Sequence, residues 1–125
     1  MTPRRGAWLL AAGRTALGAA ILVAPEQVTS HWLGEANARL PVVGDLARGL
    51  AVRDLSLGLT TLMTLDDPVL GPRVQFLCAL ADSVDALATG LARAELPRKG
   101  VIGTVAIAGA SAGAGFYFSH RLAHA

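Results

Sequence analysis

Residues 101–119 read VIGTVAIAGASAGAGFYFS, and no charged side chain interrupts the run from Val101 to Ser119. At 1.5 Å per residue such a helix rises about 28 Å, close to the thickness of a bilayer's hydrocarbon core. Its interior polar groups are hydroxyls alone: Thr104, Ser111 and Ser119. Small residues recur as Gly109-xxx-Gly113 and as the ladder Ser111, Gly115, Ser119. That spacing lets membrane helices approach closely, so the segment reads as a membrane helix offering contact faces to a partner helix or a second copy of the chain.

Three further apolar stretches precede it. They run from about Ala7 to Ala24, stopped by Pro25; from about Asp45 to Leu65, between Gly44 and Asp66-Asp67-Pro68; and from about Leu70 to Ala92. The charge-free run itself belongs to a segment from about Gly100 to Leu122. Each is about as long as the roughly 20 helical residues that a bilayer requires. The predicted fold is therefore all-α: a single integral membrane domain over residues 1–125, a four-helix transmembrane bundle in up-down-up-down order. A soluble bundle would show a polar face on every helix, and the first and fourth segments have none.

Composition agrees. Hydrophobic residues make up 53% of the 125 and charged residues only 16%, against about 25% charged in soluble domains; mean hydropathy is +0.49. An ordinary soluble enzyme and a disordered tail are excluded on that ground. A nucleic-acid binder is excluded because net charge is only +2 and the cations form no stripe along which phosphates could lie. The lone Cys78 rules out an internal disulfide, a CxxC redox pair and a cysteine-rich metal site. Phosphate-loop, dinucleotide, Ser-His-Asp and zinc patterns are missing, so neither cofactor nor metal is expected. His120 and His124 are expected to complement the end of the last helix.

The one long connection, Pro25 to Gly44, predicts a short interfacial helix between the first two spans. Val28, His31 and Trp32 would share a face, Gly34 would end it, and Trp32 and Trp8 would anchor in the headgroup zone. Arg4-Arg5 ahead of an apolar run suggests a secretory leader, but Arg14 interrupts that run and no small-residue cleavage site follows before Pro25. The segment is read as a retained first helix. Lys and Arg near the ends divide equally, with Arg4, Arg5, Arg73 and Arg121 on one side and Arg39, Arg93, Arg98 and Lys99 on the other. The usual dominance of the first helix then favours cytoplasmic termini.

The informative feature is a set of charges at the wrong depth. Arg14, Arg53, Asp54 and Asp82 lie beside the midpoints of the first three spans, Asp85 lies one turn from Asp82, and Arg48 lies nearer an end of the second span. Facing lipid, six such groups would cost on the order of 15–20 kcal/mol, more than a typical fold's whole stability. They are expected to turn inward and neutralise one another, three cations against three anions. Gln75, Cys78, Asp82, Asp85 and Thr89 repeat at helical spacing and mark the inward face of the third span; Asp54, Gly58 and Thr61 mark a stripe on the second. Arg53 and Asp54 are about 100° apart on one helix, so they are expected to serve different neighbours. Arg53 and Arg14 would flank Asp82, and Asp54 would face another partner or a cavity.

Two uses for such a cluster follow. Buried ion pairs can lock helix register, as in a non-catalytic structural or accessory subunit. Intramembrane ionisable groups also mark sites for substrates, protons or ions. Two carboxylates a turn apart repel in a low dielectric, and one that keeps its proton is a general acid. On this second reading Asp82 or Asp54 is the acid and Asp85 the second carboxylate. Arg14, Arg53, Arg48 and Gln75 would bind and hold geometry, and the ligand would be an apolar small molecule such as an isoprenoid or polyketide, isomerised or cyclised. A proton or ion pathway is the third and least supplied possibility, because the last helix offers few polar links.

Gly13-Arg14, Trp32-Leu33-Gly34, Ala51-Val52-Arg53-Asp54-Leu55 and Ala81-Asp82-Ser83-Val84-Asp85-Ala86-Leu87 together resemble a family of small uncharacterised four-helix integral membrane proteins of high-GC bacteria. The resemblance covers all four spans and implies a four-helix membrane fold in the inner (cytoplasmic) membrane, with no activity attached. In class alone, the chain is similar to membrane-embedded bacterial terpenoid cyclases. No motif matches one of those residue by residue, and no residue role is carried over.

Overall fold

The computed structural model describes all 125 residues as helices and short connections. In chain order they are α1 (Pro3–Val23), α2 (Pro25–Leu33), α3 (Glu35–Ala38), α4 (Pro41–Thr64), α5 (Leu70–Leu91), a 3-10 turn at Arg93–Glu95, and α6 (Arg98–Ala123). Local chemistry explains the boundaries. The Thr2 hydroxyl accepts from the Arg5 N–H at 3.2 Å ahead of Pro3, and proline also opens α2 and α4, where its missing N–H costs nothing. Asp67 Oδ1 accepts from the N–H groups of Val69 and Leu70, each at 2.8 Å, so Asp67-Pro68 caps α5. Gly34 stops α2 with φ of 86°.

The four long helices match the four apolar segments, with three adjustments. The first begins at Pro3 rather than near Ala7, the second at Pro41 rather than near Asp45, and the fourth at Arg98 rather than Gly100. Three of them, α1, α5 and α6, are long and apolar enough to cross a membrane. The fourth, α4, does not qualify on composition, because Asp45, Arg48, Arg53 and Asp54 all lie on it.

Packing runs chiefly between α1 and α4 and between α5 and α6. Gly18 and Gly58 bring the first pair together. A Cβ at Gly18 would stand 2.8 Å from the Ala51 carbonyl oxygen, and one at Gly58 would stand 3.0 Å from both the Ala11 oxygen and the Thr15 nitrogen. Between α5 and α6, Gly115 lies against Ala79, and the Ser119 hydroxyl donates to the Pro72 carbonyl at 2.8 Å. Gly115 and Ser119 of the expected ladder are thus used inside the chain. Gly109 and Gly113 face open space.

The distribution of side-chain size is inverted relative to a water-soluble domain. Seven of the ten buried apolar residues are alanine, while Leu9, Leu17, Leu77, Val84, Leu87, Ile102 and Ile107 lie on the exterior. Large residues outside and small residues between helices suit an apolar surrounding, where association depends on close packing rather than on burying leucines.

The segment after α1 does not lie free at an interface. Val28 packs against Ile21, Ala47 and Ala51, and the Trp32 carbonyl abuts Gly100 at the start of α6, so α2 closes one end of the helix assembly. Trp32 is directed inward, contrary to the headgroup anchor expected of it, whereas Trp8 is 48% exposed. His31 is exposed and does not share the inward face of Val28 and Trp32; α2 packs on α1, α6 and α4.

Candidate functional site

Arg14, Arg53, Asp54 and Asp82 each stand within two residues of the midpoint of their helix, and the packing brings them together. Arg14 bridges α4 and α5. Its Nη1 donates to Asp54 Oδ1 at 3.1 Å, its Nη2 lies 2.6 Å from Asp82 Oδ1, and Nη2 also donates to the Cys78 carbonyl at 3.4 Å. Arg53 holds Asp85 in a two-pronged pair, Nη1–Oδ1 3.0 Å and Nη2–Oδ2 2.6 Å. Its Nε and Nη2 also donate to Asp54 Oδ1, at 3.3 and 3.1 Å. The order Asp82, Arg14, Asp54, Arg53, Asp85 forms one chain of alternating charge across three helices.

Two expectations about pairing are corrected. Arg53 does not flank Asp82; its partners are Asp85 and its own neighbour Asp54. The guanidinium is long enough to swing back along the helix, so a 100° separation of Cα positions does not send the two side chains to different neighbours. Arg48 is not in the cluster. It pairs with Asp45 at 3.6 Å, one turn away, and both side chains are more than half exposed. Two cations therefore meet three carboxylates.

The cluster borders a cavity of about 470 Å³. Its walls include Arg14, Asp54, Asp82 and Asp85, with Thr61, Gln75 and Cys78 toward one end and Val28, Thr29 and Trp32 toward the other; α6 closes a side with Thr104, Ile107, Ala108 and Ser111. At about 30 Å³ per non-hydrogen atom, the share of a water molecule in the liquid, the space holds roughly 15 such atoms. The lining is mostly apolar with a few convergent polar groups, the usual make-up of a small-molecule site. Asp54 Oδ1 accepts from both arginines and Asp82 Oδ1 pairs with Arg14. No protein group donates to Oδ2 of either, which leaves two carboxylate oxygens without partners at the edge of the cavity.

Gln75 sits where the helical spacing puts it, 2% exposed and on the cavity wall. Thr61, from the Asp54–Gly58–Thr61 stripe, bonds the Leu57 carbonyl and lies 3.4 Å from Cys78 Sγ. Trp32 and Thr29 are cavity residues that sequence reasoning missed. The signal was present in the apolar face of α2, but its direction depends on how α2 packs. Trp32 Nε1 is buried with no acceptor. His120 and His124 stack with ring centroids 4.3 Å apart at the end of α6, away from the cavity. No family model, curated protein or solved structure matches this chain.

Proposed function

We propose that the protein is a multi-pass protein of the cytoplasmic membrane, its termini on the cytoplasmic side, that binds an apolar small molecule beside its mid-depth carboxylates and isomerises or cyclises it by acid/base chemistry. In this arrangement α1, α4, α5 and α6 cross the bilayer up-down-up-down. The charges of α4 are tolerated because Arg53 and Asp54 turn toward Arg14 and Asp85 rather than toward lipid. Kinship with the small four-helix membrane proteins of high-GC bacteria belongs to the same proposal.

One observation carries it: a largely apolar cavity whose wall contains three carboxylates but only one of the two clustered arginines. With two cations against three anions, a single proton on one carboxylate makes the set neutral. That carboxylic acid, assigned to Asp82 or Asp54, donates its proton to an alkene carbon of the ligand. A carboxylate of the set then removes a proton from an adjacent carbon, which moves the double bond, or closes a ring if an internal alkene attacks first. Arg14 holds the anion formed when the acid gives up its proton. Protons balance, and no oxidant, reductant or cofactor is consumed.

The test uses the full chain in lipid nanodiscs made in D2O, incubated with farnesol, an apolar polyunsaturated alcohol. Mass spectrometry should find carbon-bound deuterium with the parent protein and none with Asp82→Asn/Asp54→Asn. Binding without deuterium would reduce the site to a ligand-binding one. Absence of binding would favour the second reading, an accessory subunit locked by its own ion pairs, which the pairing of both central arginines supports.

A further inference from the structure

The cavity has a mouth, and its place on the molecule says where a ligand comes from. Leu9, Gly13 and Leu17 recur every four residues along α1 and all line the cavity. They are also exposed, Leu9 by 51% and Leu17 by 47%. Across from them Ile107 of α6 lines the cavity and is 70% exposed. Residues that border both the cavity and the exterior form its rim. The rim lies where α1 and α6 part: the two helices touch at one end, where Gly6 meets the Phe118 ring. Counting antiparallel from that contact sets Gly13 level with Ser111, and Leu17 level with Ile107. The exposed rim residues Leu9, Gly13, Leu17 and Ile107 are all apolar, Ser111 opposite Gly13 being less exposed, and a Cβ at Gly13 would meet nothing within 4 Å.

We infer that the cavity opens sideways, through a slit between α1 and α6 with Gly13 at its middle, and that its ligand is a molecule dissolved in the bilayer rather than one arriving from water. This inference rests on the ligand-binding reading above and on α1 and α6 being membrane helices. Aliphatic rim residues give a polar solute nothing in exchange for its hydration, whereas a lipid-dissolved molecule crosses them without desolvation. Glycine at the middle of the slit leaves it open, and a larger side chain there would narrow the passage from a Cβ that meets no neighbour within 4 Å.

Gly13→Leu supplies the test, since leucine replaces the poorest ordinary helix former with one of the best and its Cβ meets nothing within 4 Å. The probe is menadione, a small apolar quinone that quenches indole fluorescence. The protein carries Trp8→Phe, which leaves Trp32 at the cavity wall as the single reporter, and is reconstituted into phosphatidylcholine/phosphatidylglycerol vesicles. Stopped-flow quenching of Trp32 should accelerate in proportion to the mole fraction of menadione in the bilayer. Gly13→Leu should slow it at least tenfold, with Gly13→Ser in between, at unchanged circular dichroism. An unchanged rate in Gly13→Leu, with quenching intact, would overturn the slit and leave the cavity as a ligand site. No quenching of Trp32 in the parent, while Trp8 in a Trp32→Phe protein is quenched from the lipid, would overturn both.

Discussion

Replacing Arg14 by Gln should be the most damaging single change at the charged cluster, and replacing Asp54 by Asn among the mildest, although the two side chains touch. Charge counting gives the order. With every group ionised, Arg14 and Arg53 leave one negative charge in excess over Asp54, Asp82 and Asp85. Arg14→Gln raises the excess to two and strips Asp82 of its only cation. Breaking a buried pair in this way costs about 3–5 kcal/mol. Asp54→Asn brings the excess to zero. Arg14 then keeps Asp82 at 2.6 Å and Arg53 keeps both contacts to Asp85, while the new amide oxygen still accepts one hydrogen bond, so the loss is about 1 kcal/mol. The gap between the two variants is about a hundredfold in folding equilibrium. Reversible unfolding in mixed micelles of nonionic detergent and dodecyl sulfate measures it. Arg14→Gln combined with Asp82→Asn should be more stable than Arg14→Gln alone, because the excess falls back to one, with a coupling of at least about 1 kcal/mol. Equal losses for Arg14→Gln and Asp54→Asn, or a double variant worse than the single one, would refute the charge count as the source of stability.

Two further outcomes follow from the packing and the caps. Gly58→Ala should cost about 1–3 kcal/mol by forcing α1 from α4, whereas Gly109→Ala, whose Cβ meets open space, should be neutral or gain up to about 1 kcal/mol; thermal melting in detergent distinguishes them. The Asp67 carboxyl is held below the usual carboxylate range by the N–H groups of Leu70 and Val69. A folded value below the unfolded one of about 4 means that its contribution is complete above about pH 4 and is lost as pH falls through the folded value. Protection of the first-turn amides of α5, measured as the exchange rate relative to the intrinsic rate at each pH, should therefore fall in that acid range, and Asp67→Ala should abolish that fall; a parent protection profile identical to that of Asp67→Ala would refute the cap.

Much of the fold was legible because its signals are local. A charge-free run such as Val101–Ser119 is helical at bilayer length whatever surrounds it, and Pro25, Gly34 and Asp67-Pro68 act on their own neighbours through φ or a missing N–H. The cost of an unmatched charge in an apolar medium likewise required Arg14, Asp54, Asp82 and Asp85 to find partners before any partner was known. Which partner each found was not legible. An arginine reaches several residues along its own helix and across to the next, so Arg53 could return to Asp54 and take Asp85, and Arg48 could settle on Asp45 outside the cluster. Trp32 turned inward because α2 packs on α1, α6 and α4, contacts between segments that no periodicity in α2 encodes. The cavity belongs wholly to the tertiary structure: it is the space left where α1 and α6 part, and empty volume has no residue to announce it.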